Sequence, residues 1–176
     1  RFRTMPKATI AKIEGICRGG GSELVLSMDM RFAALGRAVL AQPEVAVGIM
    51  PGGSGTQRLP RLVGRGRALE IALGADDFPA DLAERYGYVN RALPPEELGP
   101  FVERLARRIA SFPAEAIAHA KASVLAAESG VREGLVAEAR AFEACVALPE
   151  ARNRMAAFLA MGGQTRELES KAGAFG

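Results

Sequence analysis

Two glycine clusters set the tightest limits on what this chain can fold into. Gly19, Gly20 and Gly21 stand directly before Ser22 and Glu23, and Gly52, Gly53 and Gly55 lie within the segment Pro51 to Thr56. Eleven of the 20 glycines fall between Gly15 and Gly66. Glycine weakens the interior of helices and strands, so clusters this dense belong to tight turns or to places where backbone must approach something closely. The short apolar segments between them then read as strands and helices in alternation, an α/β layer. Ala8 to Ile13 reads as a buried strand, and Ser22 to Ser27 as a helix entered through the glycine triplet. Met28, Met30 and Phe32 alternate with Asp29 and Arg31, the period of a half-buried strand. Val45, Val47 and Ile49 alternate again, predicting a further strand stopped by Pro51 and Gly52.

The rest of the chain has a different period. Phe101, Val102, Leu105, Ile109 and Phe112 share one helical face, and Val131, Leu135, Ala139, Phe142 and Val146 share another. With Pro113, Gly130 and Pro149 as punctuation, three or four consecutive helices are expected after residue 94. Such a striped helical tail covers its own core or packs on a neighbouring subunit. The expected division is an α/β core over residues 1–93 and a helical region over 94–176.

Charge follows the same partition. Residues 1–67 carry 11 Lys and Arg against 4 Asp and Glu, while 68–176 carry 12 against 16. The positive front suits an anionic small ligand, but without an aromatic stacking platform it gives no reason to expect a nucleic-acid partner. Charged and turn-forming residues interrupt every apolar run well short of the roughly 18 residues of a membrane span. Lys12 breaks the one apolar stretch near the start that could resemble a secretory signal. Two separated cysteines suit a reducing compartment, so a cytoplasmic location is expected.

Most glycine-loop chemistries fail on spacing. No Gly-Lys-Ser/Thr follows either cluster, no third glycine completes a dinucleotide fingerprint, and Leu69 stands where Gly64-Arg65-Gly66 would need one. Ser22 lacks the following glycine of a nucleophile elbow. His119, the only histidine, sits between Ala118 and Ala120 on an expected helix, so a serine-peptidase triad would rest on a residue better read as structural. Two cysteines and one histidine have no metal-ligand spacing, and no metal site is expected. What remains is a backbone site: glycines before a helix can aim N–H groups at a carbonyl that gains negative charge. Glu23 lies in the first turn of that helix, and Glu44 follows Gln42 and Pro43 on the approach to the second cluster. Two acids beside glycine turns can hold one water between them, one as base and one as proton donor.

At these residues the chain resembles the crotonase superfamily, the enoyl-CoA hydratases and isomerases. The resemblance runs through Ile10 to Gly15, Gly19 to Leu24 and on to Asp29, Gln42 to Gly48, and Pro51 to Leu59, then continues through Leu69 to Gly74 and Ala83 to Asn90. It implies a crotonase/ClpP-like spiral of ββα units followed by a C-terminal helical trimerisation region. It further implies a lyase acting on acyl-CoA thioesters, with coenzyme A as part of the substrate and no separate cofactor, in a homotrimer or hexamer. By the same resemblance the Gly20 N–H is one donor of the thioester oxyanion hole, Glu23 and Glu44 activate water and move the α-proton, and the Gly52 backbone helps hold that water. Asp29, Gln57 and Arg58 match structural positions, and Arg18 is a candidate contact for a coenzyme phosphate. The chain opens at Arg1 and lacks the N-terminal third of the family pattern, so it is expected to be the back two-thirds of a subunit. An isomerase, which needs only one carboxylate to shuttle a proton, and a non-catalytic acyl-CoA-binding subunit are the alternatives.

Overall fold

The computed structural model of the chain describes residues 1–129, 131–162 and 165. Contacts divide it into two units, Arg1–Arg3 with Thr9–Ala106, and Thr4–Ala8 with Arg107–Gly176.

The first unit is built from short strands dealt alternately to two sheets. β1 (Ile10–Ile13) and β2 (Ile16–Arg18) lead into α1 (Gly20–Leu26), and β3 (Met30–Ala34) and β4 (Val39–Ala41) follow. After a 3₁₀ turn at Glu44–Val47 come α2 (Gly55–Val63), α3 (Arg65–Gly74), β5 (Phe78–Pro79), α4 (Ala80–Tyr86) and β6 (Arg91–Leu93). One sheet has the order β1-β3-β6, parallel throughout, and the other β2-β4-β5, with β2 and β4 parallel and β5 antiparallel. Each strand pair thus gives one strand to each sheet before the chain crosses back, the ββα spiral implied by the resemblance. Parallel strands cannot be joined by a tight turn, which is why a helix or a long loop separates β1 from β3 and β2 from β4.

The core explains the residue choices. Leu26, Leu40, Leu59, Ile71, Phe78 and Tyr88 pack with Ile13 and a set of alanines that includes Ala11, Ala33 and Ala83. A second cluster of Phe32, Ala34, Leu93 and Leu98 receives Phe101, Val102 and Leu105 from α5 (Pro95–Ala110). These three are the first residues of the helical face expected from the sequence, and Phe101 meets Phe32 edge-on with ring centroids 5.0 Å apart.

Two sequence expectations are corrected. β3 is buried on both faces, because Phe32 and Ala34 point to one cluster and Ala33 to the other. Arg31 therefore lies inside at 4% exposure rather than in solvent. Its Nε donates to the Tyr88 carbonyl at 3.0 Å and its Nη1 to the Met28 carbonyl at 2.9 Å. Burial pushes the guanidinium down from its ordinary value, and nearby Asp29 opposes that. The expected strand over Val45 to Ile49 is instead the 3₁₀ turn. Gly48, at φ 79°, closes it by donating to the Val45 carbonyl, and Val47 and Ile49 are left 76% and 62% exposed. Among the described residues no strand pairs with this segment.

The second unit contains the helices α6 (Ala114–Ala126), α7 (Val131–Ala147) and α8 (Pro149–Ala160), with a 3₁₀ turn at Ala127–Ser129. With α5, the expected run of helices after residue 94 is present, although contacts divide inside α5, after Ala106, rather than at 93/94. Gly130 and the side chains of Val131 and Leu135 lie outside the described residues. Ala139, Phe142 and Val146 from the same stripe are exposed. No helix among the described residues is long and apolar enough to cross a membrane.

Arg31→Met keeps the volume and removes the donors to one buried and one part-buried carbonyl. Urea unfolding is expected to show a loss of about 2–3 kcal/mol, and an unchanged midpoint would mean that Arg31 is not holding this junction.

Candidate functional site

The site begins at the ends of two neighbouring strands. β2 and β4 pair in register, Arg18 opposite Ala41, and the Gly19 N–H donates to the Ala41 carbonyl at 3.0 Å. Everything after Gly19 on one strand therefore lies beside everything after Ala41 on the other. This delivers the glycine triplet and Gln42-Pro43-Glu44 to one place, at the carboxyl ends of parallel strands.

Gly19 makes the turn. Its φ of 53° is a left-handed conformation that glycine adopts freely, and it starts α1 one residue later, so Gly20 and Gly21 form the first helical turn rather than a loop before it. The N–H groups of a first turn have no intrahelical acceptor. Both glycines are exposed. Ser22 and Glu23 are instead buried, Glu23 at 6% exposure.

Glu23 is fixed by the second glycine cluster. Its Oε1 accepts from the Gly55 N–H at 2.8 Å. A Cβ on Gly53 would overlap the Glu23 carboxylate, and one on Gly55 would fall 3.0 Å from Pro51 Cβ and 3.1 Å from Glu23 Oε1. The need for glycine here is thus a close approach: the loop lies directly on a buried acid. Between them, Ser54 adopts φ 95°, an uncommon conformation for a residue with a side chain, and its hydroxyl meets Arg58 Nε at 2.6 Å. Arg58 has a structural position here, as Asp29 does. The Asp29 carboxylate accepts from the Thr9 N–H at 2.7 Å and from the Thr9 hydroxyl at 2.9 Å. Gln57 is exposed.

Glu44, half-buried at the start of the 3₁₀ turn, is held from the other side. A Cβ on Gly19 would lie 3.2 Å from its Oε1, so this carboxylate sits over the entrance to α1. With the Gln42 amide turned so that every donor meets an acceptor, its nitrogen donates to the two Glu44 oxygens at 3.1 and 3.2 Å. Its carbonyl accepts from Ser22 Oγ at 3.1 Å. Ser22 in turn contacts the Tyr88 hydroxyl. Burial pushes the Tyr88 phenol above its ordinary value, with Ser22 and Gln42 pulling the other way, so at neutral pH it keeps its proton.

The sequence-derived residues therefore separate by place. Gly20, Glu23 and Glu44 gather around the glycine turns; Gly52 is an exposed residue of the Pro51–Gly55 loop that contacts Glu23. Arg18 extends from the end of β2 to Asp77, donating from Nε at 2.7 Å and also from Nη2. This hydrogen bond lowers Asp77 from the usual carboxylate range. Ser22, Gln42 and Tyr88 were not singled out by sequence reasoning as a linked set. The available signal was Tyr88 itself, because a buried tyrosine hydroxyl needs a partner.

The family model described as enoyl-CoA hydratase/isomerase matches residues 1–163. A crotonyl-CoA hydratase of Syntrophomonas wolfei is 43% identical over 159 residues, covering 90% of this chain and 61% of that protein. A short-chain-enoyl-CoA hydratase of Clostridium acetobutylicum is 36% identical over 160 residues, with the same shares. Among solved structures, an enoyl-CoA hydratase from Bacillus anthracis superposes with a TM-score of 0.86 at 34% identity, covering 92% of this chain and 62% of that one. An enoyl-CoA hydratase subunit from Geobacillus kaustophilus gives 0.84 at 36% identity, covering 94% and 64%. The chain spans about three-fifths of the length of these relatives.

Gly55→Ala is expected to lower stability by about 1–3 kcal/mol, since its methyl must displace Pro51, Glu23 or both. Denaturant unfolding reads this directly, and a stability equal to the parent chain would contradict the close packing of the loop on Glu23.

Proposed function

The chain belongs to the enoyl-CoA hydratase/isomerase family, and from that premise we propose that the protein carrying it adds water to a 2-enoyl-CoA thioester. The observation that carries this reading is the convergence of two separately anchored carboxylates on glycine turns. Glu23 is held by the Gly55 N–H, and Glu44 by the Gln42 amide.

The chemistry follows from what the thioester needs. Its carbonyl withdraws electrons from the C2–C3 double bond, so C3 accepts an oxygen nucleophile while charge moves toward the carbonyl oxygen. Hydrogen-bond donors placed at that oxygen lower the barrier, and the N–H of Gly20, in the first turn of α1 where it has no intrahelical acceptor, is one such donor. Water attacks C3 as one carboxylate takes its proton, and a proton is delivered to C2, so H and OH are added with no change in oxidation balance. Glu23 and Glu44 share those two proton transfers. Gly52, on the loop that carries Gly53 and Gly55, contributes its backbone to holding the water. No cofactor beyond the coenzyme A of the substrate enters these steps.

The protein carrying this chain is proposed to work as a homotrimer or a dimer of trimers. Support comes from exposed apolar side chains on the helices of the second unit, including Val124, Phe142, Met155 and Leu159. Sedimentation at micromolar concentration is expected to give a trimer or its multiple, and a clean monomer would overturn this part. Cys17 and Cys145 are free thiols, which supports a cytoplasmic setting.

Glu23→Gln and Glu44→Gln, each isosteric, are expected to lower kcat for a short 2-enoyl-CoA by about 100-fold or more with KM little changed. Full hydratase activity in either variant would sink the two-carboxylate mechanism.

A further inference from the structure

We infer that Tyr88 and Ser22 are positioning residues for Glu44: through the Gln42 amide, their hydroxyls lock the Glu44 carboxylate in its working orientation. This rests on the reading of Glu44 as a proton-transfer group.

Tyr88, Ser22 and Gln42 are all fully buried, so their polar groups have no water to fall back on. An amide can be turned end for end with little change in shape, and only its partners decide which end faces Glu44. Ser22 cannot decide alone, because a hydroxyl donates or accepts equally well. The Tyr88 phenol breaks the tie. It is protonated, and the Ser22 oxygen lies within hydrogen-bond reach of its hydroxyl, with the Gln42 amide also close by. Once Tyr88 donates to Ser22, the Ser22 proton goes to the Gln42 carbonyl, and the Gln42 nitrogen is left to face both Glu44 oxygens. In the reversed arrangement the Gln42 nitrogen and the Tyr88 hydroxyl would both donate to the Ser22 oxygen, leaving the Ser22 proton without the Gln42 carbonyl to accept it and setting the Gln42 oxygen against a carboxylate. Both outcomes are unfavourable in a low-dielectric interior.

The end of the chain farthest from Glu44 is itself anchored. The Tyr88 N–H donates to the Ala83 carbonyl at 2.8 Å, its carbonyl accepts from Arg31 Nε at 3.0 Å, and its side chain is part of the main core. A buried arginine, a tyrosine, a serine and a glutamine thus connect the centre of β3 to the acid on the 3₁₀ turn. The turn needs this support, since beyond Glu44 its apolar residues Val47, Ile49 and Met50 are exposed.

The test uses Tyr88→Phe, Ser22→Ala and Ser22→Thr in the protein that carries this chain. Turnover of a short 2-enoyl-CoA is expected to fall about 3- to 10-fold in kcat for Tyr88→Phe and about 10-fold for Ser22→Ala, the scale of one hydrogen bond. KM should stay within about two-fold, and Ser22→Thr, which keeps the hydroxyl, should restore most of kcat. The double variant Tyr88→Phe with Ser22→Ala should be no worse than Ser22→Ala, because both act through one chain. A second readout needs no turnover: hydrogen exchange at the Gln42 side-chain amide, followed by ¹⁵N NMR, should be slow in the parent and fast in Tyr88→Phe and Ser22→Ala. Unchanged kcat together with unchanged Gln42 exchange overturns the inference. So does a fall in kcat that Ser22→Thr fails to restore while Gln42 stays protected. A parent protein that hydrates nothing, yet loses Gln42 protection in the variants, keeps the relay and overturns the hydratase reading instead.

Discussion

The site depends on one register. The parallel pairing of β2 with β4, closed by the Gly19 N–H on the Ala41 carbonyl, brings two segments more than 20 residues apart in sequence to the same strand ends. A slip of one residue would turn every side chain of β4 to the other face and displace the Gln42-Pro43-Glu44 segment that follows it, and no local adjustment could restore both. The remaining features elaborate this constraint. Gly19 turns the chain into α1 so that Glu23 faces inward, and Gly53 and Gly55 let the second loop come down on that acid. The small alanines of the core let the strands and helices approach closely enough for the two sheets to share one spiral.

Polar burial around the site is extensive, and it is satisfied. Arg31, Ser22, Glu23 and Gln42 all lie in the interior, and each has a defined partner. Burying such groups costs stability unless their hydrogen bonds are made, so the interior at this end of the fold has little freedom to rearrange. The Arg18 to Asp77 pair is different in kind. Both side chains are about half exposed, and it adds little beyond tying the end of β2 to the segment before β5.

Much of the arrangement was legible in the residues because it follows from local chemistry. The glycine triplet, the acid after it and the Gln42-Pro43-Glu44 segment announce turns and charges by composition alone, and the helical period after residue 94 appears as α5 to α8. Two readings failed because the deciding contacts are distant in sequence. Arg31 looks like the solvent face of β3 until α5 covers one side of that strand and the Tyr88 carbonyl takes the guanidinium on the other. Val45 to Ile49 has strand period but no strand to join among the described residues, and Gly48 closes it as a turn. The link from Tyr88 to Glu44 spans three segments, and no spacing rule connects them.

The most direct test of the account is the fate of isotopes during turnover. A short 2-enoyl-CoA incubated with the protein that carries this chain, in water enriched in both ¹⁸O and deuterium, should give a 3-hydroxyacyl-CoA with ¹⁸O at C3 and deuterium at C2. Deuterium entering with migration of the double bond and no ¹⁸O at C3 would mean that the two carboxylates move protons without activating water, and would contradict the hydratase reading.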